Sequence, residues 1–233
     1  MPGPAPRGYD VGAIAFDLDG TLLDTLHDLA AALNALLAER GYPRLDKEAV
    51  RPLVGRGIES LVTRGLALAR NAPAGAAEVA AALAVFEQHY DAVLGRETGL
   101  YPGVAEGLER MRAMGIPLAV VTNKAARFVG PHLERAGIAG AFALVIAGDT
   151  LPEKKPSAGP LLHAAATFRI APARLLMVGD SGNDVGAARA AGCPVLVLPY
   201  GYSEGTPVQN LGADGIVPSL AAVADIVRYV PAG

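Results

Sequence analysis

VGAIAFDLDGTLLDT, residues 11–25, decides the fold. Its first six residues carry no charge, and the run ends abruptly on Asp17, Asp19, Gly20 and Thr21. A continuous apolar run of this length suits a strand buried on both faces. Acids and a turn glycine directly after it mark the carboxyl end of that strand, where open parallel sheets bind their ligands.

Working outward, the same texture recurs at residues 117–123 (PLAVVTN), 142–148 (FALVIAG), 174–180 (RLLMVGD) and 193–199 (CPVLVLP), and more weakly at 215–217. Helical patterns lie between these runs at 103–114, 127–136, 160–168 and 184–191. Strand then helix, repeated, predicts an α/β fold with a parallel sheet flanked by helices. Residues 24–96 break that rhythm. They hold alanine- and leucine-rich helical patterns at 28–40, 46–53, 58–69 and 75–94, and no good strand candidate. The expected organisation is an α/β core of residues 1–24 and 97–233, with an all-helical module over 25–96. Hinges are expected near Thr25 and near residues 98–102.

Composition narrows the function classes. Charged residues are 18% of the chain and the net charge is −3, without the basic excess of a nucleic-acid surface. Aromatics are 5% and tryptophan is absent, too few for base-stacking platforms. No apolar stretch reaches the roughly 18 residues of a membrane span. The single cysteine, Cys193, excludes an intrachain disulfide; it reads as a core residue, and a cytoplasmic location is expected. Residues 1–10, MPGPAPRGYD, read as a disordered lead-in and not as a signal peptide. His27, His89, His132 and His163 show no ligand spacing and read as helix-surface residues.

The polar residues at the strand ends form a set. Asp17, Asp19 and Thr21 follow the first run; Thr122 and Asn123 end the second. Lys154 and Lys155 come after the third, and Asp180, Ser181 and Asp184 end the fourth. All converge on one edge of a parallel sheet. Several carboxylates could hold Mg²⁺, which prefers hard oxygen ligands. A lysine and a hydroxyl could orient phosphate oxygens. One carboxylate could attack phosphorus while a second moves the proton. Thr122 and Asn123 could equally cap the following helix, and Asp184 could be a first-turn residue favoured by the helix dipole.

Taken in order, DLDGT, the VVTN end, KKP and VGDSGND resemble the four motifs of the haloacid-dehalogenase-like phosphatase superfamily. Within it the chain is similar to the phosphoglycolate phosphatases, through VGRGIESLV, YPGV, VTNK and the YGY at Tyr200. The resemblance covers the chain from Val11 onward. It implies a Rossmann-like core, a helical cap and a Mg²⁺-dependent phosphate-monoester hydrolase acting through an aspartyl-phosphate. It further implies Asp17 as nucleophile and metal ligand, and Asp19 as general acid and base with its backbone carbonyl on the metal. Thr122 and Asn123 would bind phosphate, Lys155 would stabilise Asp17 and the phosphate, and Asp180 and Asp184 would hold or support the metal. Thr21 would fix the loop. Arg56, in the expected cap loop, is a candidate for a substrate carboxylate; Lys124 is left out of the set. The family's KPxPxPL reads KPSAGPL here, which bears on loop stiffness.

The resemblance implies a small phosphorylated substrate, 2-phosphoglycolate first, with pyrophosphate, sugar phosphates or nucleotides as alternatives. A monomer or homodimer is expected, with no nucleic-acid or membrane partner. Leu29 stands where similar mutases carry histidine, and Asp19 is the acid that related dehalogenases lack; both argue for hydrolysis of phosphate esters. Intact Asp17, Asp19 and Asp180 argue against a binding-only protein.

Overall fold

The computed structural model describes residues 8–231. The chain opens with β1 (Tyr9–Val11), β2 (Ala13–Phe16) and β3 (Leu23–Asp24). Four helices follow: α1 (Leu26–Glu39), α2 (Lys47–Val50), α3 (Ile58–Arg70) and α4 (Ala76–Val93). After β4 (Gly99–Leu100) come α5 (Val104–Ala113), β5 (Leu118–Val121), α6 (Ala126–Arg135), β6 (Leu144–Ile146) and α7 (Gly159–Thr167). The chain ends with β7 (Leu175–Gly179), α8 (Gly182–Ala191), β8 (Val195–Val197), β9 (Gly215–Ile216), α9 (Leu220–Ile226) and β10 (Val227–Tyr229).

The main sheet runs β6-β5-β2-β7-β8-β9, all parallel. From β2 the chain builds outward through β5 and β6, then returns to β2's other side for β7, β8 and β9. The direction of winding reverses beside β2, which opens a crevice at its carboxyl end. The apolar runs are uncharged because both faces of the sheet are covered. Ile14 and Phe16 face one cluster with Leu118, Val120 and Val178, roofed by Leu108 of α5 and Leu220 of α9. Ala13 and Ala15 face the other, with Val121, Met177, Leu161 of α7 and Val185 of α8. This is the two-residue period of a strand written twice over.

The helices of residues 26–93 bury a third cluster: Leu29, Leu33 and Leu37 of α1, Leu61 and Leu66 of α3, and Phe86 and Tyr90 of α4. Phe128 and Tyr202 join it from elsewhere in the chain. The helix expected over 46–53 stops as α2 at Val50 and tightens into a 3₁₀ turn over Arg51–Leu53, where Pro52 has no N–H to continue it.

Three features depart from the sequence reading. The run at 11–17 is broken, because β1 leaves the main sheet and pairs in parallel with β10. Residues 1–7 of the expected disordered lead-in lie outside the described residues, but Tyr9 and Asp10 are strand, with Arg228 donating to both Asp10 oxygens at 2.8 and 2.7 Å. Second, β3 and β4 form a short antiparallel ribbon, so the chain enters and leaves the helical insert side by side. Third, α9 was not anticipated. No helix among the described residues is long and apolar enough to cross a membrane.

Candidate active site

Asp17 extends β2 by one residue, its N–H donating to Val178 O at 3.0 Å. The chain then curls so that the N–H groups of Leu22 and Leu23 both reach Leu18 O at 3.0 Å. Gly20 sits in this curl at φ +86°, where a side chain would be strained, and a Cβ there would lie 2.5 Å from Asp180 Oδ2. Glycine is what lets the loops after β2 and β7 touch. Thr21 Oγ1 locks them together by donating to Asp180 Oδ1 at 2.8 Å, the loop-fixing role expected of it.

Asp17 is 6% exposed. Its Oδ1 accepts from Leu18 N at 2.7 Å and pairs with Lys155 Nζ at 3.0 Å. Lys155 also donates to Asp184 Oδ1 at 2.6 Å. Asp184 is wholly buried because its other oxygen accepts from Asp180 N, Ser181 N and Ser181 Oγ at 3.1, 3.0 and 2.9 Å. It sits in the first turn of α8, where the dipole favours a carboxylate. Asp180 Oδ2 accepts from Tyr202 N at 2.7 Å.

Asp17, Asp180 and Asp184 each bring an oxygen within 4.8 Å of the others, all buried. One ammonium, Lys155, pairs with two of these three carboxyls, Asp17 and Asp184. Burial pushes Asp17 up to about 6; Lys155 pulls against this, and the charge of Asp184 adds to it. Burial, with the charges of Asp184 and Asp17, pushes Asp180 well above its ordinary value. A buried acid cluster short of positive charge is what a hard divalent cation relieves, so the donor set fits Mg²⁺. Asp184 and Asp180 both have their two oxygens engaged by donors, and Asp184 is the more deeply buried of the two.

The Asp19 side chain turns the other way. Its Oδ1 accepts from Thr25 Oγ1 at 2.7 Å and from Lys124 Nζ at 3.0 Å, and its Oδ2 lies 3.3 Å from Lys124 Nζ. Burial pushes its carboxyl up, but Lys124 and Thr25 outweigh that and hold it below the ordinary value. Lys124, left aside in the sequence reading, is therefore a buried residue paired with Asp19. It also donates to Tyr90 Oη of α4 at 2.7 Å. Tyr90 Oη lies 3.3 Å from His132 Nε2. His132 is 1% exposed, which corrects its reading as a surface residue. Burial, with Lys124 nearby, lowers it to about 4, so it is neutral at neutral pH.

A cavity opens at this point, lined by Asp17, Asp19, Thr122, Asn123 and Lys124 from the sheet side. Leu29, Val54, Gly55, Gly57, Ile58 and Leu61 of the helical insert close it. Asn123 Nδ2 spends its two N–H groups on Gly55 O and Lys155 O, both at 2.9 Å, so it ties the insert's loop to the lysine. Arg56 lies outside this cavity. Its exposed side chain pairs with Glu204 at 2.9 and 2.8 Å, and Glu204 also accepts from Asn183. The structure thus gathers seven of the expected residues, Asp17, Asp19, Thr122, Asn123, Lys155, Asp180 and Asp184, and separates Arg56 from them. Lys124 could have been flagged by its place directly after Asn123. Tyr90 and Glu204 carry no local signal, since their partners lie far away in the chain.

Similarity to known proteins agrees with this geometry. The family described as haloacid dehalogenase-like hydrolase matches residues 14–198. A phosphoglycolate phosphatase of Thiobacillus denitrificans is 45% identical over 93% of this chain and 96% of its own length. One from Chromobacterium violaceum is 46% identical over 94% and 97%. The crystal structure of a predicted phosphoglycolate phosphatase from Haemophilus somnus superposes with a TM-score of 0.89 at 36% identity, over 93% of this chain and 97% of that one. The chain belongs to the haloacid dehalogenase-like hydrolases and is a phosphoric monoester hydrolase resembling the phosphoglycolate phosphatases.

Proposed function

We propose that this chain hydrolyses 2-phosphoglycolate to glycolate and phosphate, with Mg²⁺, through an aspartyl-phosphate on Asp17. The observation that carries the reading is the setting of Asp17: it lines the cavity, Leu18 N and Lys155 anchor its Oδ1, and two further buried carboxyls lie within 4.8 Å. Asp17, Asp180 and the Asp19 backbone carbonyl would hold Mg²⁺ with Asp184 behind them, and the ion would screen the repulsion between carboxylate and phosphate. A carboxylate oxygen of Asp17 attacks phosphorus as the ester O–P bond breaks, and Asp19 gives the departing glycolate oxygen its proton. The incoming phosphate charge beside Asp19 favours the protonated form that this step needs. Water then attacks the phosphorus, Asp19 takes its proton, and Asp17 is regenerated as phosphate leaves.

Thr122 accepts from Lys124 N at 3.2 Å, which leaves its O–H to donate to a phosphate oxygen beside Lys155. Asn123 positions Lys155 and the insert loop. The helical insert serves as a cap that excludes water while the phosphoaspartate exists. Its apolar contribution to the cavity wall, and a leaving-group end formed by a few side chains, favour a small ester. The names of the relatives support 2-phosphoglycolate in particular.

Phosphate release with Mg²⁺ or EDTA, across 2-phosphoglycolate, pyrophosphate, sugar phosphates, nucleotides and p-nitrophenyl phosphate, tests this. 2-Phosphoglycolate is expected to lead in kcat/KM by about tenfold or more, roughly 1.4 kcal/mol of discrimination. A flat profile removes the substrate and leaves the chemistry. Activity that survives EDTA removes the metal.

A further inference from the structure

Lys124 is the cationic residue in the wall of the cavity. Its side chain is 2% exposed. An ammonium has three N–H groups. Asp19 Oδ1 at 3.0 Å and Tyr90 Oη at 2.7 Å take two of them, and the third has only the long 3.3 Å contact to Asp19 Oδ2, which a substrate carboxylate would replace. Tyr90 is itself immobile: it is fully buried, with its ring 5.7 Å from Phe86 and 4.9 Å from Phe128. The charge is therefore held at a fixed point, which lowers the entropic cost of using it to bind.

That point has a specific chemical meaning. A leaving oxygen that takes its proton from Asp19 must lie within hydrogen-bond reach of it. In an ester of the form P–O–CH₂–COO⁻ the carboxylate carbon is two bonds from that oxygen. The first cation such a carboxylate meets beyond Asp19 is Lys124. Of the other basic residues near this loop, Arg56 is turned outward onto Glu204 and Lys154 Nζ donates to Arg56 O at 3.4 Å; neither lines the cavity. The cavity wall beyond is otherwise apolar, with Leu29, Val54, Ile58 and Leu61, so an acid placed there without Lys124 would be buried unpaired.

We infer that Lys124, oriented by Tyr90 of the helical insert, binds the carboxylate of the leaving group and gives the site its preference for acidic phosphate monoesters. The inference rests on the reading of 2-phosphoglycolate as substrate and names the residue that selects it. It makes selectivity a joint property of the sheet and the insert, because the lysine comes from β5's end and its orienting hydroxyl from α4.

The test is kcat/KM for 2-phosphoglycolate and for its neutral isostere 2-phosphoglycolamide. Both are measured in the full chain with Mg²⁺, in wild type, Lys124→Met, Lys124→Arg and Tyr90→Phe. The readout is the ratio of acid to amide, because loss of Asp19 positioning lowers both substrates and leaves that ratio alone. Lys124→Met is expected to lower the ratio by about tenfold or more. Lys124→Arg should restore part of it, and Tyr90→Phe should lower it by a smaller factor. If both substrates fall together in Lys124→Met, the lysine only positions Asp19 and the inference is overturned while the substrate reading stands. If wild type shows no preference for the acid, the substrate reading fails and the inference fails with it. Should Lys124→Met not fold, Tyr90→Phe decides, and an unchanged ratio there sinks the inference.

Discussion

Asp17, the proposed nucleophile, is set among charges of its own sign, and that fixes what its replacement should do. Asp17→Asn keeps the shape of the side chain and removes both the attacking carboxylate and one buried negative charge. Turnover is expected to fall by about a thousandfold or more. The melting temperature in EDTA should stay level or rise, since the remaining acids repel less. Phosphate release and a thermal melt on one preparation check both, and a variant that keeps normal turnover would end the role given to Asp17. At this scale the sequence was informative wherever a polar residue closes an apolar run: Asp17, Thr122 and Asp180 stand out by ending three such runs on one edge of the sheet. It was uninformative for Lys124, Tyr90 and Glu204. Tyr90 is 34 residues from Lys124, and nothing in an alanine-rich helix says that one tyrosine will carry a hydroxyl into another element's charge network.

The elements around the insert are joined by a few buried polar contacts. Asp28, at the start of α1, is 2% exposed. It accepts from Gly95 N, Glu97 N and Thr98 Oγ1 at 2.7, 3.0 and 2.7 Å, tying the segment that leaves the insert to the insert's first helix. Asp28→Ala is expected to destabilise the protein by about 3 kcal/mol, because buried donors lose a charged acceptor. Urea unfolding reads this directly, and a change under about 0.5 kcal/mol, the size of an ordinary surface substitution, would contradict it. Arg56 belongs to the other end of the insert. Its pairing with Glu204 leads us to expect an effect on loop closure and not on substrate charge. Arg56→Ala should therefore raise KM for 2-phosphoglycolate and p-nitrophenyl phosphate by similar factors; a selective effect on 2-phosphoglycolate would return it to substrate reading. Helices were legible here because α1, α3 and α4 are long enough to show their period. The β3·β4 ribbon was not, since two residues per strand form no pattern. β1 and β10, three residues each, escaped for the same reason.

At the scale of the molecule, the α/β architecture was legible because six apolar runs alternate with helical patterns. The strand order was not, since adjacency in a sheet leaves no mark on either strand alone. Global stability should report the acid cluster. The folded Asp17 carboxyl, pushed up to about 6, keeps a proton that the unfolded one, at 3.8, has released. The metal-free protein is therefore expected to lose stability as pH rises from about 4 through about 6. Mg²⁺ favours the ionised form, so the gain in melting temperature on adding it should grow across pH 6. Paired melts in EDTA and Mg²⁺ between about pH 5 and pH 8 check this, and a gain that does not change with pH would mean the ion binds elsewhere. The sheet order has one more consequence, and it concerns synthesis. β2 lies between β5 and β7, and its register pairs Ala13 with Leu175. At roughly 5–20 residues per second on the ribosome, the strand that leads into Asp17 is made early and waits on the order of 10–30 s for its second neighbour. The helical insert, with its own apolar cluster, is translated during that wait, so the nascent chain can bury one core before it completes the sheet that holds the chemistry.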